Sequence, residues 1–306
     1  MAISNFTGTT QLADSVAAEQ IGRFVETAYA KALALNFLTA FGGADTVTGT
    51  KTKSYPRLGS LSAGALTEGT DATATALSDT EVSITVVEIG VGVLRGDVLD
   101  VAESPGGWER LASLMGKAYA DYVDTRILAL NPSFTDQVGP DNTPITEDIF
   151  LQAIHELEEN QGDGPFFSIL YTQHIHDLRV LIGGASANTG PVFMRPDIVS
   201  GLGPATSTGF ALTLYGVDVF KSTNCPTDGS GADRIGCMLP AHADQYPIRR
   251  LVGVPGQGPY SGQPWDGRVE YERDASGRLT EVWMTGLEDE EIVAVDWGVG
   301  VNARDT

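Results

Sequence analysis

Cysteine is scarce in this 306-residue chain: only Cys225 and Cys237 occur, twelve residues apart and with no histidine beside either. That excludes a disulfide framework and signals neither a zinc ribbon nor a Cys/His nucleophile, leaving buried or idle thiols in a chain that suits a reducing interior. Positive charge is the second shortage. Nineteen Lys and Arg stand against 40 Asp and Glu, a formal net charge of −21. A chain of that sign repels phosphate backbones and anionic bilayers, so a groove-reading DNA binder or a membrane-surface protein is not expected. Long apolar runs are missing too. The richest stretch, Val82 to Val101, is broken by Glu88, Arg95, Asp97 and Asp100, and falls short of the roughly 18–20 residues of a membrane span. Met1 to Thr10 has neither a basic start nor an apolar run of about seven, so no export signal is expected, and the sequon at Asn5-Phe6-Thr7 is read as incidental.

Catalytic signatures are equally thin. There are four histidines. His174 and His176 form an H-x-H pair, which chelates a metal on a strand but points its rings about 200° apart on a helix, and the context is helical. His155 sits mid-helix beside Glu156 and Glu158, and His242 lies in a loop. No P-loop, G-x-S-x-G or H-E-x-x-H motif occurs, and Gly90, Gly92 and Gly96 fall inside a strand pattern with the wrong spacing for a dinucleotide loop, so a bulge or close backbone packing explains them better. The acid run Glu288 to Glu291 reads as a solvated turn between two strands, and Asp228 to Asp233 as a flexible turn in preference to an ion site. No metal and no cofactor is expected.

What the chain does contain is a substantial apolar fraction, 42%, enough for one large domain or two modest ones. Residues Ala13 to Leu38 carry an amphipathic helical pattern through Val16, Ile21, Phe24, Val25 and Leu33. Thr46 to Leu58 alternates as a strand, which Pro56 places at an edge. Gly59 to Ala76 has almost no large apolar side chain and cannot offset its own ordering entropy alone. Thr80, Val82, Ile84 and Val86 alternate, then the phase slips to Val87, Ile89, Val91 and Val93, the mark of a bulge or sharp bend. The simplest reading of Thr46 to Arg95 is a long, kinked antiparallel hairpin with a polar tip. At about 3.3 Å per residue its arms could project some 40–60 Å.

Trp108, Leu111, Met115, Ala118, Tyr119, Tyr122, Ile127 and Leu130 trace one face of a long helix that Pro132 ends. Thr146 caps a helix with the buried stripe Ile149, Phe150, Ala153, Ile154 and Leu157. Phe166 to Tyr171 is a strand and Thr172 to Ile182 a short helix. Gly183 to Gly209 is a long loop of the kind that binds or covers. Phe210 to Lys221 and Arg234 to Leu239 are strands, and Val252 to Gly267 is a further Gly/Pro loop. Val269 to Arg273, Leu279 to Leu287 and Ile292 to Val301 form a closing three-stranded antiparallel meander. The fold class is α+β.

This order resembles the major capsid protein of tailed bacteriophages, the Hong Kong 97 fold. The likeness is carried by Ser54-Tyr55-Pro56-Arg57, Leu66-Thr67-Glu68-Gly69, the segment Val82 to Asp97 and the long helix Trp108 to Leu130. It implies an N-terminal arm (1–45), an extended loop (46–87), a peripheral domain (88–131 and 263–306, with the spine helix 108–130) and an axial domain (132–262). It implies a structural protein without catalytic activity that assembles as hexamers and pentamers into an icosahedral virion shell around double-stranded DNA, in the bacterial host cytoplasm. A separate scaffolding protein or none is expected, with portal and decoration proteins as the further partners it suggests. Arg23, Tyr55, Arg57, Glu68, Asp71, Glu81, Arg110 and Arg126 are the candidates for subunit interfaces, the sparse tip gaining order by lying across a neighbour. The tip has no lysine between Gly59 and Ala76, with Lys51 and Lys53 only near its root, so the isopeptide cross-link of some relatives is not expected. Two rivals stand beside this reading: an encapsulin-type nanocompartment shell, and a metal-dependent or other hydrolase on the segment holding His155, His174, His176 and His242.

Overall fold

The computed structural model describes residues 45–58, 79–96, 107–161, 164–183, 210–229, 231–241, 246–256, 262, 268–274 and 279–305. In chain order the elements are β1 (Asp45–Thr48), β2 (Thr52–Leu58), β3 (Asp79–Thr85), β4 (Val87–Gly96), α1 (Gly107–Leu128), β5 (Asp136–Val138), α2 (Glu147–Gln161), β6 (Phe166–Tyr171), α3 (Thr172–Gly183), β7 (Phe210–Leu214), β8 (Val217–Ser222), β9 (Asp233–Pro240), β10 (Ile248–Val254), β11 (Arg268–Asp274), β12 (Leu279–Ile292) and β13 (Val299–Arg304). The expected α+β character is what the structure has. Among the described residues no helix is long and apolar enough to cross a membrane.

Two sheets and a hairpin organise these elements. In the five-stranded sheet β10 joins β1 in parallel and β12 antiparallel, while β12 also pairs with β11 and β4. The six-stranded sheet runs β5-β13-β9-β6-β8-β7, and β2 pairs only with β3 among the described strands. Helix α1 lies across both sheets. Its buried stripe is Met115, Tyr119, Ala120, Val123, Ile127 and Leu128, and these residues share one apolar cluster with Val282 and Met284 of β12, Ile169 of β6, and Cys237 and Leu239 of β9. Helices α2 and α3 cover the other face of the six-stranded sheet, where Phe150, Leu157, Ile175 and Leu178 meet Leu170, Val219, Val299 and Val301.

Several elements match the sequence pattern closely. Thr146 accepts the Ile149 N–H at 3.3 Å and so caps α2, whose first turn carries Glu147 and Asp148 against the positive end of the dipole. The phase slip is real. The ladder with β2 ends at Thr85, Val86 donates its N–H to the Lys51 carbonyl at 2.9 Å, and from Val87 the chain pairs with β12 instead. One continuous stretch thus serves two sheets, which is why its alternation changes parity.

Other expectations need correction. The strand expected from Thr46 to Leu58 is two strands, and the first belongs to the five-stranded sheet, not to the hairpin. On α1, Ala118 and Tyr122 face solvent, one position off the expected stripe. Phe210 to Lys221 is not one strand but a β7–β8 hairpin, turned at Tyr215 (φ 52°) and Gly216 (φ 81°), the paired positive φ values of a two-residue hairpin loop. The closing meander is not formed. β12 continues to Ile292 without a break, and β13 leaves for the six-stranded sheet to pair with β9 and β5. Strand β10, drawn in the sequence as an unassigned stretch running into a loop, lies in the five-stranded sheet. The two sheets therefore exchange strands across the boundary placed at residues 262 and 263.

Candidate assembly surfaces and the charged junction beneath them

The hairpin β2–β3 has two unlike faces, fixed by its register from Thr52↔Thr85 to Leu58↔Asp79. On one face Thr52 and Thr85 hydroxyls lie 2.8 Å apart and Ser54 and Ser83 hydroxyls 3.0 Å apart, an exposed ladder of small polar groups. On the other, Tyr55 packs against a small apolar cluster of Val47, Ile84, Val86 and Leu251. The Tyr55 hydroxyl donates to Asp45 at 2.6 Å, and Lys53 stands 3.4 Å from that carboxylate and 5.3 Å from the Tyr55 ring. Burial, with the Asp45 hydrogen bond and charge behind it, holds the Tyr55 phenol above its ordinary pKa. Tyr55 is thus an internal anchor that fastens the hairpin root to β1. Glu81, opposite Pro56, is exposed, as is Arg110 on α1. Arg57 lies in β2 opposite Thr80. Arg23, Glu68 and Asp71 fall outside the described residues.

Arg126 is engaged within the chain. It donates to Asp289 and stands 3.6 Å from Glu290, with its guanidinium 6.0 Å from the centre of the Tyr122 ring. These contacts open onto a buried charged junction that the sequence reading missed. The Tyr119 hydroxyl donates to one oxygen of Glu288, and Arg250 donates through Nε to the other at 2.6 Å. Arg250 and Glu288 are 2% and 0% exposed. Glu290, also buried, has Arg126 at 3.6 Å and Arg250 at 4.0 Å. Burial, reinforced by the Glu288 charge and only partly offset by the two guanidinium groups, pushes the Glu290 carboxyl up to about 8. Gly286 makes room for this arrangement, since a Cβ there would collide with the Tyr119 hydroxyl.

The acid run is therefore not a solvated turn: it forms the second half of β12 with two of its carboxylates turned inward. The signal was present as parity. Thr280, Val282, Met284, Glu288, Glu290 and Ile292 are all even-numbered and all buried, a single strand face that stays inward when its chemistry changes from apolar to charged.

A second polar fastening ties α1 to the other sheet. Asp124, buried on α1, accepts from Ser222 at 3.0 Å and from Asn224 at 2.8 Å at the end of β8. Trp283 on the five-stranded sheet is half-exposed and lies across Gly92, where a Cβ would sit 2.6 Å from the ring. That is the close packing expected of the glycine series.

Among the described residues the enzyme candidates do not converge. His174 is buried in α3 with Nε2 3.0 Å from the Ala303 carbonyl oxygen, and burial lowers its pKa, whereas His176 on the same helix is exposed. His155 is exposed beside Glu159 at 3.3 Å, and His242 lies outside the described residues. Cys225 and Cys237 are both buried and free, and burial drives both thiols upward, Cys237 to about 12, away from nucleophilic use. Among the described residues no group of three or more His, Cys, Asp and Glu side chains is placed to hold a metal ion. The turn at Asp228 is self-contained: its carboxylate accepts from the N–H groups of Ala232 and Asp233 at 3.1 Å each.

No protein-family model matches the chain, and no curated protein matches it at a significant level. Solved structures do. The capsid of the cyanophage P-SCSP1u is similar with a TM-score of 0.59 at 14% identity, covering 87% of each chain. The mature capsid of bacteriophage PhiM1 gives 0.58 at 11% identity over 87% of this chain and 86% of the other. The SrpI encapsulin of Synechococcus elongatus PCC 7942 gives 0.55 at 12% identity over 85% and 84%. The chain has the α+β fold of phage capsid and encapsulin proteins, as the sequence resemblance implied.

Proposed function

We propose that this chain is the major structural subunit of a tailed-phage head, a protein without catalytic activity that assembles as hexamers and pentamers into a closed shell around double-stranded DNA. The observation that carries this reading is the capsid fold extending over nearly the whole chain, together with a hairpin anchored at its root and exposed along its hydroxyl face. Fold alone does not determine function. What supports this use of the fold is that its exposed features suit contacts between copies, whereas the titratable groups among the described residues do not gather into a reaction centre. We assign the arm to residues 1–45, the extended loop to 46–87, the peripheral domain to 88–131 and 263–306, and the axial domain to 132–262, with β1 and β10 crossing over to join the peripheral sheet and β13 crossing over to join the axial one. Glu81 and Arg110, with Arg23, Arg57, Glu68 and Asp71, are the proposed interface set. Scaffolding, portal and decoration proteins are separate partners, and an acidic shell leaves packaged DNA mobile by not binding it through counterion release.

An encapsulin-type compartment is the second reading, and the similarity to the SrpI encapsulin favours it specifically. Expression of the full chain, alone and with candidate scaffolding proteins, followed by negative-stain imaging, tests the shell reading: closed particles are expected, and a monomer under every condition overturns it. Particle diameter and the ratio of absorbance at 260 and 280 nm in particles from infected cells separate a DNA-filled head from a cargo compartment.

A further inference from the structure

We infer that the turn at residues 139–142, Asp233 at the start of β9 and Asn302 in β13 form a site for a hard divalent cation, calcium, at one end of the six-stranded sheet. The inference does not depend on the shell reading. Asp233 is fully buried and accepts one hydrogen bond on Oδ2, from the Asn142 N–H at 2.7 Å, while its Oδ1 has no partner. Asn302, 8% exposed, donates through Nδ2 to Asp141 Oδ1 at 3.1 Å, and its own Oδ1 likewise has no partner. Strand register puts the two side chains on one face, since Asn302 pairs with Ile235, two residues along from Asp233. Both reach the same turn, one at Asn142 and the other at Asp141.

Two acceptor oxygens cannot satisfy each other, and a buried carboxylate with one N–H donor is costly. A cation answers both needs at once. Calcium takes carboxylate and amide oxygens in irregular geometry and completes its shell with water, and Asp141 is exposed, which gives the site an entrance from solvent. The carboxylate of Asp228 is not available, being taken by its own turn. Two groups compete: His174, buried within electrostatic reach of Asp233 and with no partner on Nδ1, and Arg304, paired with Asp233 across the strands. The Arg304 Nε has no partner, yet no ion pair joins it to Asp233 among the described residues.

The test is thermal unfolding and titration calorimetry of the full-length chain, first in EDTA and then with calcium or magnesium chloride. Calcium is expected to bind with a Kd of about 0.1–1 mM and at about 10 mM to raise Tm by about 3–8 °C, with magnesium doing less. Asp233→Asn is expected to abolish the calcium shift, Asn302→Asp to tighten calcium about tenfold by adding a ligand charge, and Arg304→Gln to leave the shift intact. Absence of any calcium response in the wild-type chain overturns the site. So does a calcium response unchanged by Asn302→Asp, which decides the matter alone if Asp233→Asn does not fold. Loss of stability on Arg304→Gln without a calcium response assigns Asp233 to the guanidinium instead.

Discussion

Helix α1 is fastened to its two sheets by different chemistry. Toward the five-stranded sheet it uses charge: Tyr119 and Arg126 reach Glu288, Asp289 and Glu290, with Arg250 completing the set from β10. Toward the six-stranded sheet it uses apolar packing and one carboxylate, Asp124, held by two neutral donors. The first fastening includes a buried carboxyl, Glu290, that burial and the neighbouring Glu288 charge push up into the ordinary pH range. The contrast teaches that one helix can be held rigidly on one side and tunably on the other. A buried ion pair is weak evidence for stability, because desolvation consumes most of the Coulomb gain, yet breaking it by removing one partner is severe.

The largest effect is therefore expected at Arg250. Arg250→Ala leaves Glu288 buried without its cation, and the expected loss is about 3–5 kcal/mol, read as a collapse of the urea midpoint or failure to fold. Replacing both partners at once, Arg250→Met with Glu288→Leu, is expected to recover most of that stability. If the double variant is no better than the single one, the junction is not an ion pair in energetic terms and the contrast between the two sides fails.

The pH dependence follows in size. Glu290 has a folded pKa of about 8 against an ordinary value of 4.5, so the folded state holds a proton that the unfolded chain has already released across that window. Stability must then fall as pH rises from about 4.5 to 8 and level off above, by a few kcal/mol at most, a pKa unit being worth about 1.4 kcal/mol. Glu290→Gln, neutral throughout, is expected to flatten this slope and to exceed the wild type in stability at pH 8. Unfolding curves at pH 5 and pH 8 for both proteins check it, and a wild-type slope that survives in Glu290→Gln places the titration elsewhere. On the other side of the helix, Asp124→Ala is expected to cost about 1–3 kcal/mol by stranding Ser222 and Asn224.

The charged side is also the part that was hardest to read in the sequence. Thr146 before an acidic first turn, the parity change at Val86 and the apolar stripe of α1 announce themselves locally, because capping, strand alternation and helical period are local physics. The junction does not. Glu288 and Glu290 look like a turn when charge is read before parity, and the partner that makes their burial tolerable, Arg250, lies 38 positions away from Glu288 in a strand that the sequence reading left unassigned. Strand exchange hides for the same reason: nothing within Val299–Arg304 says that it joins β9 and not β12, since pairing is decided by long-range packing. Tyr55 and Arg126 show the limit in another form. A Tyr and an Arg in a capsid-like texture invite assignment to a neighbour, and only coordinates show that Asp45, Asp289 and Glu290 of the same chain engage them first.

The smallest effect on the subunit is expected where the effect on the assembly is expected to be large, and this separates surface from junction most sharply. Glu81 and Arg110 are exposed, and no ion pair holds either among the described residues. Charge reversal at Glu81 or Arg110 is therefore expected to change subunit stability by no more than about 0.5 kcal/mol, while lowering the yield of closed particles if these side chains meet a neighbour. Arg126→Glu is the control. It places a further acid beside Asp289 and Glu290 in place of their cation, so the subunit itself should unfold earlier, and assembly should fail as a consequence. Comparing unfolding midpoints with particle counts across the three variants distinguishes the two causes. An unchanged midpoint with normal particles removes Glu81 or Arg110 from the interface set, whereas a lowered midpoint for either shows that it belongs to the fold and not to the contact between copies.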